Sequence, residues 1–168
     1  MKKTNDYKRL VYEVFDEYFI QNSFHQVKDE INSITFRNKN CIFRFTVDYS
    51  NFDLIINSTK DESFNYNIRI IYLVLIGKSF DTNFPFTNGE EDRLKMQLKE
   101  FLNFLNSNLK GIADGDFSWS QSYLKYFEKE KTIHKILWDL DVNSSIYQKF
   151  QSGDLTWKDD IIKLSNIN

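Results

Sequence analysis

The chain has 168 residues, with 22 Lys and Arg against 24 Asp and Glu, a formal charge of −2, and 41% hydrophobic, 17% aromatic and 27% charged residues. That length and apolar content support one folded domain with its own core and exclude a disordered chain. The two signs of charge are interleaved, which excludes the basic field that gathers nucleic acid.

Cys41 is the single cysteine, so no internal disulfide forms, and the composition fits a reducing compartment. The stretch MKKTNDYKRLVYEVFDEYF alternates charged and apolar groups and lacks the unbroken apolar core of a secretory signal. The longest apolar run, IIYLVLI at 70–76, is too short to span a bilayer as a helix. A soluble, cytoplasmic, bacterial protein without a membrane partner is the expectation. Ala113 and Pro85 are the sole residues of their types. Such usage reflects AT-rich coding, so the aromatic excess is not counted as evidence for a ligand.

Tyr7, Leu10, Val11, Val14, Phe15, Tyr18 and Phe19 recur at three- and four-residue steps and predict an amphipathic helix, with Thr4 or Asn5 as its N-cap. From about Phe24 to Ile76 the period becomes two. Strands at 31–37, 41–48 and 52–57 read as a meander, with turn compositions at 37–40 and 49–51. In the middle strand Cys41, Phe43, Phe45, Val47 and Tyr49 share one side, and the other side is either wet or used for binding. After the polar break NSTKDES, the β-branched run NYNIRIIYLVLIG at 65–77 predicts a fourth strand covered on both faces.

Thr87 with Glu90, or Asn88 with Glu91, stands at capping-box spacing. A long helix follows, with Leu94, Leu98, Phe101, Leu102, Leu105 and Leu109 on one face, Lys110 in its last turn and Gly111 where a left-handed residue is wanted. GIADGDFSWSQS at 111–122 joins it to a helix opened by Ser118 and Gln121. Ile133, Ile136, Leu137 and Leu140 continue that helix or follow it as a shorter one; further short helices come after, one between Asn143 as cap and Gly153 as stop, and a last one opened by Thr156 with Asp159.

The order predicts an α+β fold: an N-terminal helix, a four-stranded antiparallel meander, a long helix and several short C-terminal helices packed on one sheet face. It is read as a single domain, 1–168, with 1–110 as the helix–meander–helix core and 111–168 as a helical extension. Over about the first 110 residues this order resembles secretion chaperones and small immunity proteins that neutralise bacterial toxins. The helical tail departs from the chaperone pattern, which returns to strands.

Asp114, Asp116 and Ser118 imitate the 1-3-5 opening of an EF-hand, but Trp119 stands where Gly is required and Lys125 where a bidentate Glu is required. No metal or other cofactor is therefore expected. His25 and Cys41 offer one base and nucleophile combination, and a buried, small apolar Cys41 is the other reading; His134 stands in the helical part. Asp139 with Asp141, and Asp159 with Asp160, read as solvated helix ends. No catalytic set is assigned.

Trp119, Trp138 and Trp157 stand 19 residues apart, although their flanks do not repeat. Interfaces are enriched in tryptophan and tyrosine, so a protein partner is expected at the acidic turn, through Asp114, Asp116 and Trp119, joined by Trp138 and Trp157. A homo-oligomer stays open. The alternative is a small-molecule-binding protein or small enzyme with an aromatic pocket between sheet and helices, using His25 or His134.

Overall fold

The computed structural model describes residues 4–48, 51–80 and 89–165. The expected turn at 49–51 falls mostly outside them, as do Thr87 and Asn88 and the side chains of Thr4 and Asn5, the expected caps. The chain divides into two compact units, Met1–Trp119 and Ser120–Asn168.

The first unit is α+β. Helix α1 (Thr4–Gln21) leads into β1 (His25–Glu30), β2 (Ser33–Arg37), β3 (Cys41–Asp48), β4 (Asn51–Ser58) and the two-residue β5 (Tyr66–Asn67). These form one antiparallel sheet in the order β1-β2-β3-β4-β5. Helices α2 (Ile68–Ile76) and α3 (Glu90–Asn108) follow.

Register places the pairs Ile34 with Phe45, Phe36 with Phe43, Phe45 with Leu54 and Phe43 with Ile56 on one face. All six residues are buried. Helix α1 lays its rings on that face, Phe15 at 4.9 Å from Phe45 and Phe19 stacked 4.0 Å from Phe36. Each such ring contributes about 1.5–3 kcal/mol of burial. The other face is mixed: Thr35, Arg44 and Ile55 lie in one row, and Arg37 pairs with Glu62 at 3.3 Å and Arg69 with Asp53 at 2.8 Å.

Two elements differ from the sequence reading. The run 65–77 is no fourth strand: after two residues of β5 it turns into α2. A short β-branched, apolar run fits either a covered strand or a buried helix, and here the caps decide. The Asn67 side chain accepts the Arg69 N–H at 2.9 Å, and Gly77 closes the helix at φ 75°. Strand β1, HQVKDE, lacks alternation, and all six residues are exposed. Backbone pairing to β2 holds it, with a register shift between Gln26 and Lys28 that marks a bulge.

The free edge of β4 at Phe52 is closed by side chains. Its N–H donates to Gln97 Oε1 at 2.9 Å, and its carbonyl accepts from the Arg69 guanidinium at 2.6 Å. Gln97 is fully buried and its amide donates to Asn51 Oδ1 at 3.0 Å. Gln97→Leu leaves the Phe52 N–H without its acceptor and is expected to cost about 1–3 kcal/mol in denaturant unfolding.

The second unit consists of α4 (Ser120–Asp139), α5 (Ser145–Ser152) and α6 (Trp157–Ser165). Ile133, Leu137, Trp157 and Ile161 form its core, with Ile146, Tyr147 and Phe150 packed against it in part. Gly153 ends α5 at φ 77°, as expected, but the cap is Ser144 and not Asn143: its hydroxyl accepts the Tyr147 N–H at 3.2 Å. Lys149–Asp160 and Lys158–Glu130 ion pairs, each 2.6 Å, link α5 to α6 and α6 to α4. Among the described residues no helix is long and apolar enough to cross a membrane.

Candidate functional site

The turn at 111–119 belongs to the first unit, and its glycines have two separate causes. Gly111 has an ordinary φ of −85°, so it is not the left-handed cap expected after α3. What it provides is space, because a Cβ there would stand 2.9 Å from the Asp116 Cβ. Gly115, at φ 91°, closes a 3₁₀ turn over Ile112–Asp114. Ile112 and Ala113 are buried, and the Asp116 carboxylate accepts the Ser118 N–H at 2.9 Å, which holds its pKa below the usual carboxylate range. The unusual residues of this turn therefore close and anchor it.

The anchor on the sheet side is Asn38, buried in the turn between β2 and β3. Its Nδ2 donates to the carbonyls of Asn22 at 3.1 Å and Ala113 at 2.9 Å. Its Oδ1 accepts the N–H groups of Asn40 at 2.8 Å and Cys41 at 2.9 Å. One side chain thus ties the end of α1, the start of β3 and the 3₁₀ turn, with every amide hydrogen and lone pair in use.

Two clefts flank this turn. The larger, about 400 Å³, is lined by Asn22, Ser23, His25, Lys39, Asn40 and Asp114 among others. The second, about 310 Å³, is lined by Leu75, Leu109, Lys110, Asp116 and Trp119. Asp114 and Asp116, read together as one acidic surface, thus line different clefts. His25 and Asp114 share the larger one, which no Phe, Tyr or Trp lines. Phe15, Phe19, Phe24, Phe36, Phe43 and Phe45 pack on one another where α1 meets the sheet.

Cys41 faces the core and is fully buried, whereas His25 is exposed in the cleft, so the two do not pair. Burial, reinforced by the Asp114 charge, pushes the Cys41 thiol from its ordinary 9.0 up to about 12. Burial also raises the Tyr18 phenol, with the Cys41 and Asp114 charges adding to it. Folding therefore favours both protonated forms. The Cys41 contribution is intact below about pH 9 and is lost as pH rises from there through about 12. Stability measured by denaturant should fall above pH 9, and Cys41→Ala should make that fall shallower. Alkylation of Cys41 at neutral pH should follow unfolding.

The three tryptophans have different places. Trp119, 8% exposed, packs edge-on to Tyr66 at 5.0 Å within the first unit. Trp157, 4% exposed, is in the core of the second, beside Phe150 at 5.4 Å and His134 at 5.5 Å. His134 stands 3.9 Å from Glu130, a carboxylate already held by Lys158. Trp138 alone is open, at 61% exposure.

The surroundings of Trp138 form a surface that the sequence reading did not assemble. Tyr147 and Phe150 of α5 meet its ring edge-to-face at 6.3 and 5.7 Å, and both are half-buried. Val142 in the following turn is 55% exposed. Helical spacing puts Tyr147 and Phe150 on one side of α5, but only the packing of α5 against α4 shows that Trp138 joins them. Asp139 and Asp141 are exposed beside it. Among the described residues no group of three or more His, Cys, Asp and Glu side chains is placed to hold a metal ion.

Comparison with protein-family models, curated proteins and solved structures finds no match to this chain.

Proposed function

We propose that the chain is a protein-binding module and that its contact surface is the aromatic face of the second unit around Trp138. One observation carries this reading. A tryptophan buttressed by two further rings keeps 61% of its surface in water, at a cost in apolar exposure that a partner would relieve. Buttressed aromatic side chains of this kind supply large contact area with little conformational entropy to lose, and they dominate binding hot spots. An immunity or antitoxin-like role in a bacterial cytoplasm is the class of activity that such a module would serve. Trp119 and Trp157 take part through the stability of their units, not through contact.

The test is partner capture by full-length protein from the source cells, followed by thermal unfolding of each variant. Trp138→Ala should abolish capture while changing stability by less than about 1 kcal/mol. Capture that survives Trp138→Ala and is lost in Asp114→Asn/Asp116→Asn would return the contact surface to the acidic turn of the first unit.

A further inference from the structure

The Trp138 face carries an unbalanced charge. Helix α4 ends at Asp139, where its unsatisfied carbonyls already make the local potential negative. A basic residue there would be stabilising, but the last turn of α4 has none. Instead Asp139 and, in the turn that follows, Asp141 add two exposed carboxylates. Asp141 does local work by accepting the Asn143 N–H at 2.8 Å; Asp139 makes no such bond among the described residues.

Cations elsewhere in the unit do not correct this. Lys149 and Lys158 are committed to Asp160 and Glu130. Lys135, one turn back on α4, is exposed, and among the described residues neither Asp139 nor Asp141 has an ion-pair partner. The result is an exposed tryptophan ring, the best side chain for a cation–π contact, within three residues in the chain of two carboxylates that lack an ion-pair partner and of a helix C-terminus. All three attract the same kind of group.

Resting on the reading of this face as a contact surface, we infer that its partner is a basic protein segment, which places an arginine or lysine over Trp138 with Asp139 and Asp141 as counter-charges and sets apolar side chains against Val142, Tyr147 and Phe150. A planar guanidinium suits the site best, since it stacks on the ring while its fork donates to a carboxylate.

The experiment uses the full chain and two synthetic amphipathic helical peptides with identical leucine positions, one with arginine at every polar position and the other with glutamate. Binding is followed by calorimetry and by tryptophan fluorescence. The arginine peptide should bind and the glutamate peptide should not. Trp138→Ala should weaken arginine-peptide binding by about tenfold or more. The double variant Asp139→Asn/Asp141→Asn should weaken it to a similar degree and flatten its salt dependence. Both variants alter exposed positions, and the second removes charge from the negative end of a helix, so melting temperatures should hold.

Equal binding of the two peptides, with both dependent on Trp138, would overturn the basic partner and leave the contact surface standing. Arginine-peptide binding that ignores the Asp139→Asn/Asp141→Asn change would overturn it too. Binding of either peptide that ignores Trp138→Ala would remove the contact surface itself.

Discussion

Trp157→Ala is expected to cost about 3–5 kcal/mol, the range for deleting a large buried aromatic side chain. Trp157 is one of four buried residues in the core of the second unit, and its ring is the meeting point of α4, α5 and α6. Phe150 reaches it edge-on from α5, and His134 lies over it from α4. The transfer loss and the loss from the cavity left behind add. Loss of amide protection should be read in α4, α5 and α6. Trp138→Ala in the same unit should leave protection nearly unchanged, since more than half of that residue is already in water. Two tryptophans 19 residues apart in sequence would then separate cleanly into a structural and a binding role. Similar losses for the two would contradict the packing described above.

The second large effect belongs to Asn38. Asn38→Leu keeps the volume and removes all four hydrogen bonds at once. The Ala113 carbonyl retains the Asn40 side chain at 3.0 Å, but the N–H groups of Asn40 and Cys41 lose their acceptor. Each buried polar group left unpaired costs about 1–3 kcal/mol, so a total of about 3–5 kcal/mol is expected from denaturant unfolding. Asn38→Asp separates donor from acceptor. It preserves the oxygen that the two N–H groups need and replaces the donating nitrogen with an oxygen facing two carbonyls. A charged carboxylate is disfavoured there, so the folded pKa rises above the unfolded one. The variant should be less stable at neutral pH and recover as pH falls toward and below the ordinary carboxylate range. Stability independent of pH in Asn38→Asp would show that the carbonyls of Asn22 and Ala113 do not need this donor.

These two residues mark the division between what was readable in the sequence and what was not. Helices α1 and α3 were readable because their apolar residues repeat at the helical period; Leu10, Val11 and Phe15, and Leu94, Leu98 and Phe101, are buried as that period requires. Strand β3 was readable from its alternation. Gln97, also fully buried in α3, breaks the apolar face, and its purpose lies 45 residues away at Phe52. Asn38 reads as a turn residue, which it is; its bond to Ala113, 75 residues distant, has no local trace. Helix α2 is hidden in the sequence because its β-branched composition favours a strand, and only the caps at Asn67 and Gly77 mark it as a helix. The α+β fold was thus within reach of periodicity. The aromatic face was not, because Trp138 and Phe150 belong to different helices and only tertiary packing brings them together.

The bulge in β1 and the closed edge of β4 also bear on how copies of this molecule meet. A bare, flat ladder at the rim of a sheet invites a strand from another chain. At one rim the ladder here is kinked and studded with Lys28, Asp29 and Glu30; at the other, Gln97 and Arg69 already occupy the main-chain groups of Phe52. Each of these features hinders the addition of a strand from another chain at the point where it stands, the bulge and charges along β1 and the side chains of Gln97 and Arg69 at Phe52.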